Sequence, residues 1–182
     1  IKFIEFVISL ESIIIATLMP IYISIPGNKN IIEIINIPIT WQLPTIIFLT
    51  IIFSSQIVYG AFTIYIFIGL FILPVFYDGG SLGYILTPNF GYLLGIYPLI
   101  KIINKLNRQG SFTIEQFFKF SILALTFMHL TGFIFNSIKL LLFNKLYLIP
   151  YIVGKFTISK IIYEILLLFP ILILLKLFKK IK

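Results

Sequence analysis

Long apolar runs are the feature that most restricts what this chain can fold into. Residues 44–77 carry no charged side chain, and further apolar runs cover roughly 3–25, 114–143 and the stretch from Tyr151 to Lys176. The sequence is 60% hydrophobic and 11% charged, whereas soluble domains have about 25% charged residues. A soluble fold could not bury this much Ile, Leu and Phe. The sequence therefore predicts an all-α polytopic membrane protein.

The length of the chain limits the number of membrane spans. Since a transmembrane helix needs about 20 residues, the 182 residues hold five or six spans and their connections. We interpret residues 1–182 as a single membrane-embedded domain, and the missing initiator Met suggests a true start upstream. The six predicted helices cover approximately 3–25, 44–58, 60–77, 90–103, 114–143 and 151–176.

Two kinds of break separate these runs. Pro26-Gly27-Asn28-Lys29-Asn30 is a strong breaker cluster that ends the first run, and the semi-polar segment from Glu33 to Leu43 follows it. Tyr59-Gly60 is only a weak break between the second and third runs. Those two runs together exceed one bilayer thickness, so a tight helical hairpin is the simplest prediction.

We interpret the positive net charge of +8 as a signal of membrane topology rather than of nucleic-acid binding. Lysine and arginine at the ends of apolar runs anchor helices at lipid headgroups and concentrate on the cytoplasmic side. Six spans with both termini in the cytoplasm satisfy this rule. The inner side then holds Lys2, Lys101, Lys105, Arg108 and the C-terminal lysines, and the outer side holds Lys29, Lys139, Lys145 and Lys155.

The Gly/Pro-rich loop at 78–90 predicts a ligand site. Lipid cannot satisfy irregular backbone, so such a loop must be covered by protein or line a cavity. Gly79, Gly80 and Gly83 permit positive φ and close approach of the backbone to a solute. An ordinary interhelical turn is the alternative. In the predicted topology the loop and the Trp41-Gln42 pair lie together on the outer side.

Four segments of the chain form an ordered pattern: Ile37-Pro38-Ile39-Thr40-Trp41-Gln42, Leu73-Pro74-Val75-Phe76, Gly79-Gly80-Ser81-Leu82-Gly83 and Thr87-Pro88-Asn89-Phe90-Gly91-Tyr92-Leu93-Leu94-Gly95. Together they resemble the BioY family, the biotin-binding membrane-embedded substrate (S) components of energy-coupling-factor (ECF) transporters. The family's last helix usually opens with Pro-Gly-Asp and a Lys three positions later. Here the stretch Val153-Gly154-Lys155-Phe156-Thr157-Ile158 lacks the acid and has Ile158 at the Lys position.

The resemblance implies a biotin site in a protein of the cell (plasma) membrane. Gln42 offers the donor and acceptor that a ureido group requires, although an interfacial Gln beside a belt Trp is the alternative. Asn89 and Tyr92 add polar tips beside the backbone of Gly80 and Gly91. Lys155 or Lys160 is expected to receive the biotin carboxylate.

Other residues have plainer interpretations. Lys160 and Glu164, at i and i+4, can neutralise one another. His129 is the only histidine and is expected to be a packed, hydrogen-bonded core residue. No metal site and no cofactor are expected, and the absence of cysteine excludes thiolate ligands and disulfides.

Partner subunits follow from the same resemblance. The sequence contains no P-loop, so partner ATPases must supply the energy through a transmembrane coupling subunit. Ser12 and Ala16, a small-xxx-small pair, are candidates for docking that subunit, with internal helix packing as the alternative. An S component for another vitamin and a solitary vitamin carrier stay open. An enzyme is not predicted, because isolated carboxylates and one His provide no catalytic base or metal site.

Overall fold

The apolar runs fold into helices in a computed structural model that describes residues 1–26, 32–178 and 180–181. Three short segments outside the α-helices and strands are helical: two 3₁₀ turns, Leu82–Leu86 and Leu146–Leu148, and a π turn, Gly154–Ile158. The main elements are α1 (Lys2–Leu18), β1 (Pro20–Pro26), β2 (Ile32–Thr40), α2 (Gln42–Ile52), α3 (Ser55–Phe71), α4 (Pro88–Leu94), α5 (Ile96–Arg108), α6 (Ile114–Leu142), α7 (Ile149–Val153), α8 (Ser159–Leu166) and α9 (Leu168–Leu177).

Two helical stretches are long and apolar enough to cross a membrane. They are α6, with 29 residues, and the run Leu146–Leu177, with 32 residues, which comprises α7, α8, α9 and the turns between them. Helix α6 begins at a capping box, in which Thr113 and Gln116 bond each other's backbone N–H groups. The predicted run 114–143 is therefore confirmed as one helix.

The segment 20–40 corrects the all-α prediction. The first apolar run was expected to be helical to residue 25, but α1 ends at Leu18 and β1 pairs antiparallel with β2, with Ile21 opposite Ile37. Proline at position 20 cannot continue the helix ladder, and the β-branched isoleucines that follow favour a strand. Of the predicted breaker cluster, residues 27–30 lie outside the described residues.

The hairpin packs on the last helical run. Ile21, Ile37 and Ile39 are buried and contact Trp41, Tyr163 and Leu167. Strand β2 therefore lies against α8, which brings the residues just before α2 close to the polar side chains of α8.

A helical pair does form at 42–71, but the predicted break between its helices is wrong. The chain turns at Phe53-Ser54, not at Tyr59-Gly60. Gly60 lies inside α3 instead, where a Cβ would come within 3.6 Å of the Phe6 ring of α1. The glycine therefore marks a helix contact rather than a turn.

The core runs through the middle of the bundle and apolar side chains also cover the outside. Leu99, Ile100 and Ile103 of α5 are fully buried among α2, α3 and α6. Large side chains such as Phe67 and Phe127 point outward and are exposed. An exterior this apolar suits a bilayer, because contiguous exposed apolar surface is rare on soluble monomers.

Candidate ligand-binding site

A cavity of about 120 Å³ lies between α1, β2, α2, α3, α4 and α8, with one wall from the 73–87 connection. One water molecule needs about 10–15 Å³ on the same measure, so the cavity has room for a small organic molecule. Of the predicted site residues, Gln42, Asn89, Tyr92 and Lys160 line it.

Among the described residues, two buried polar groups at this cavity lack a hydrogen bond of regular geometry. Gln42 begins α2, where its backbone N–H lies 3.4 Å from the Thr40 hydroxyl, and its side-chain Nε2 is buried and unpaired. Tyr65 of α3 is fully buried, and its hydroxyl lies beside Thr17 and Gln42 without a hydrogen bond of regular geometry. Buried polar groups without partners are rare, and both of these groups are free to hydrogen-bond a molecule in the cavity.

Helix α4 and the connection before it supply two further polar side chains of the cavity, Asn89 and Tyr84. The Asn89 side chain donates from Nδ2 to Asp78 Oδ2 at 2.6 Å, which fixes its amide and leaves the oxygen as an acceptor. Tyr84 stacks against Phe76 with ring centroids 4.4 Å apart. Burial raises the pKa of the Tyr84 phenol, so this group stays protonated and can donate a hydrogen bond.

Tyr92 is held firmly by its neighbours. Its hydroxyl lies 3.0 Å from Thr157 Oγ1, and its ring stacks on Phe156 with centroids 5.8 Å apart. The Lys160 ammonium lies 5.2 Å from the centroid of the same Phe156 ring. Cation–π contact at this distance is favourable, so Phe156 positions both Tyr92 and Lys160 at the cavity.

A buried hydrogen-bonded His–Glu pair reaches the cavity through Glu164. His129 Nε2 lies 2.7 Å from Glu164 Oε2, and each residue is only 6% exposed. The prediction of a packed, hydrogen-bonded His129 is confirmed. The alternative in which Lys160 and Glu164 neutralise one another does not take the form of a salt bridge among the described residues, where Glu164 instead pairs with His129 across helices.

Three predicted site residues do not line the cavity. A Cβ on Gly80 would come within 2.6 Å of the Gly69 carbonyl oxygen, and one on Gly91 within 2.8 Å of the Phe135 ring. These two glycines therefore serve close packing. Lys155 instead lies near the Tyr151 hydroxyl, at 3.4 Å. The loop was expected to offer glycine backbone to the ligand, but it contributes the side chains of Tyr77 and Tyr84.

Thr17, Tyr65, Tyr84 and Glu164 line the cavity but were not predicted from the sequence. Glu164 is an acid within a predicted span, which by default marks a functional site, but its spacing from Lys160 is also explained by a local charge pair. Tyr65 has no local signal that separates it from the nine other tyrosines.

The docking candidates on α1 differ in exposure. Ala16 is 5% exposed and faces the bundle, which favours the internal-packing alternative for this residue. Ser12 is half-buried, and docking there stays a prediction. In the described parts of the chain, no group of three or more His, Asp or Glu side chains could hold a metal ion.

Apolar helices that enclose a cavity with a few fixed polar groups define a membrane-embedded small-molecule-binding protein. The chain belongs to the BioY family, whose sequence profile matches residues 5–177. The fold is similar to that in a crystal structure of the S-component for biotin from an ECF-type ABC transporter, with a TM-score of 0.63 and 20% identity over 96% of this chain and 90% of that chain. Comparison with curated protein sequences gives no significant match.

Proposed function

We propose that this protein captures biotin within the membrane as the substrate-binding subunit of an ECF-type transporter, and is not an enzyme. One observation carries the proposal: Gln42, Asn89, Tyr92 and Lys160, from three helices, line the same cavity. Membership in the BioY family and the biotin-specific relative of the same fold support the choice of substrate.

The polar groups match the two polar ends of biotin. A ureido ring has two N–H donors and one carbonyl acceptor, and the valerate tail ends in a carboxylate. Gln42 Nε2 and the Tyr65 hydroxyl are unpaired donors for the ureido carbonyl. Glu164 is fixed by His129 through one oxygen, so the other can accept a ureido N–H.

The remaining groups suit the tail of biotin. Leu43, Leu93 and Ile96 provide apolar wall, and Lys160 supplies the positive charge for the carboxylate. Glu164 thus replaces the acid that the family places at the start of its last helix and that this chain lacks.

The transport assembly extends beyond this chain. We assign the six proposed spans of the plasma membrane, with both termini inside, to α1, α2, α3, α4–α5, α6 and Leu146–Leu177. The sequence has no P-loop, so partner ATPases drive transport through a coupling subunit that docks near Ser12.

Equilibrium titration of the detergent-solubilised protein with biotin, riboflavin and thiamin tests the proposal. Biotin should bind far more tightly than the other two vitamins. Gln42→Ala and Tyr92→Ala should each weaken biotin binding, whereas Lys101→Ala, exposed on α5, should not. Tighter binding of another vitamin would exclude biotin as substrate, and full affinity in both cavity variants would exclude this cavity as the site.

Uptake of labelled biotin by cells with and without coupling subunits and ATPases tests the assembly. The proposal requires uptake only when all partners are present. Equal uptake in cells that lack them would identify a solitary carrier.

A further inference from the structure

A second cavity, of about 360 Å³, lies where α6 ends and the last helical run begins. Leu140, Phe143, Leu148 and Ile152 give it apolar walls, while Lys139 and Lys145 stand at its polar side. We propose that this cavity binds an anionic phospholipid, with its phosphate on the two lysines and its acyl carbons against the apolar walls.

The charge of the cavity favours an anion. Lys139 Nζ donates one hydrogen bond to the Leu86 carbonyl oxygen at 2.9 Å, which holds the ammonium in place and leaves N–H groups free. Throughout the described residues, neither Lys139 nor Lys145 forms a salt bridge with a carboxylate. Two positive charges beside an apolar cavity therefore lack a counter-charge, and a lipid phosphate supplies one.

The side chains around the cavity place it at the level of lipid headgroups. Tyr147 and Tyr151 are 75% and 61% exposed at the start of the last helical run, next to the exposed Leu142 and Phe143. Tyrosine and lysine at a helix end are typical of the membrane–water interface, where rings and aliphatic stems lie in lipid and polar tips reach the headgroups. A phospholipid in the adjacent leaflet thus has its phosphate at the height of the lysines.

The lining chemistry separates this cavity from the proposed biotin site. Among the described residues that line it, none carries a carboxylate or an amide, so no side chain can accept the ureido N–H groups of biotin except a phenol. The phosphate group of a phospholipid only accepts hydrogen bonds, and its acyl chains need none. The cavity therefore fits an anionic amphiphile better than a vitamin.

Native mass spectrometry of the delipidated full chain, titrated with phosphatidylglycerol or phosphatidylcholine of identical acyl chains, tests the proposal. The parent should bind phosphatidylglycerol in preference to phosphatidylcholine, and Lys139→Gln/Lys145→Gln should reduce phosphatidylglycerol affinity by about tenfold or more. Lys101→Gln/Lys105→Gln removes the same charge from α5 and should retain full affinity. Biotin binding, measured in each preparation, shows that the variants are folded.

A second variant tests the contribution of the apolar cavity separately from the charges of Lys139 and Lys145. Leu148→Trp fills the apolar space and leaves both lysines, so it should reduce binding of both lipids while biotin binding persists. The proposal is wrong if the parent shows no headgroup preference, or if the α5 control loses as much affinity as the test variant. It is equally wrong if inorganic phosphate or biotin displaces the lipid, since a soluble ligand would then occupy the cavity.

Discussion

Two buried hydroxyl groups without regular hydrogen bonds among the described residues allow a matched test of the proposed biotin cavity at the scale of single atoms. The Tyr65 hydroxyl lies at the cavity, whereas Ser121 Oγ is buried in α6 away from it. Removing an unsatisfied buried hydroxyl is nearly neutral for folding, but a hydrogen bond to a ligand contributes about 0.5–1.5 kcal/mol. Tyr65→Phe should therefore weaken biotin binding by about two- to tenfold, as measured by calorimetric titration.

Ser121→Ala is the control for that experiment. It should leave both the biotin Kd and the melting temperature unchanged. If Tyr65→Phe binds biotin like the parent while it keeps the same melting temperature, the hydroxyl makes no ligand contact.

The two candidate lysines on the last helical run give the second residue-scale prediction. Lys160 lines the cavity and Lys155 does not, so only Lys160→Gln should weaken biotin binding, by about tenfold or more, as expected for a charge-assisted bond. The methyl ester of biotin has no carboxylate charge and should bind Lys160→Gln and the parent almost equally. A loss of affinity in Lys155→Gln, or an equal loss for the ester, would contradict the assignment.

Single site residues could be predicted from the sequence where both the residue type and its position indicated a role in ligand binding. Gln42, Asn89, Tyr92 and Lys160 met that condition and do line the cavity. The His129–Glu164 pair could not be predicted, because its members are 35 residues apart and only helix packing brings them together. The i, i+4 spacing allowed Lys160 as the partner of Glu164. The packing of α6 against α8 brings His129 to Glu164 instead.

At the scale of helices, Gly95 is a point where the junction of α4 and α5 packs tightly against α6. A Cβ there would overlap the Met128 carbonyl oxygen and lie 2.9 Å from the Met128 Cα. Backbone cannot move aside as a flexible side chain can, and overpacking typically costs about 1–3 kcal/mol. Gly95→Ala should therefore lower the melting temperature in detergent, and it should weaken biotin binding because α4 carries Asn89 and Tyr92.

Gly154→Ala is the matched control, since a Cβ at Gly154 has no atom within 4 Å. Alanine also favours helix over glycine, so this variant should melt at the same temperature as the parent or slightly higher. Equal melting temperatures for the two variants would mean that α4 and α6 are not as close at Gly95 as the structure places them.

The apolar pattern predicted helix α6 almost to the residue but missed the hairpin before α2. A long apolar run with a Thr113 cap has one simple solution in lipid, namely a helix. The segment 20–40 is richer in isoleucine than α6, and within it buried Ile37 and Ile39 alternate with exposed Asn36 and Pro38. That period of two, together with Pro20, is the signal of a strand, and the abundance of isoleucine across the whole segment conceals it.

At the scale of the whole molecule, the orientation in the membrane remains a prediction that labelling can test. The chain contains no cysteine, and positions 83 and 109 are exposed in the connections before α4 and after α5. Because Lys101, Lys105 and Arg108 place the end of α5 inside, an impermeant maleimide should label Gly83→Cys on intact cells. It should label Gln109→Cys only after the membrane is permeabilised.

The alternative outcome has a specific structural meaning. Helices α4 and α5 together cover residues 88–108 and are interrupted at Gly95, so they could cross the bilayer or enter and return on one side. Labelling of both variants from outside would show the second arrangement. It would also place Lys101, Lys105 and Arg108 on the outer surface. The α4–α5 unit would then be a re-entrant segment that carries Asn89 and Tyr92 without crossing the membrane. Labelling from opposite sides would instead make this unit a full span, which carries the cavity at its outer end.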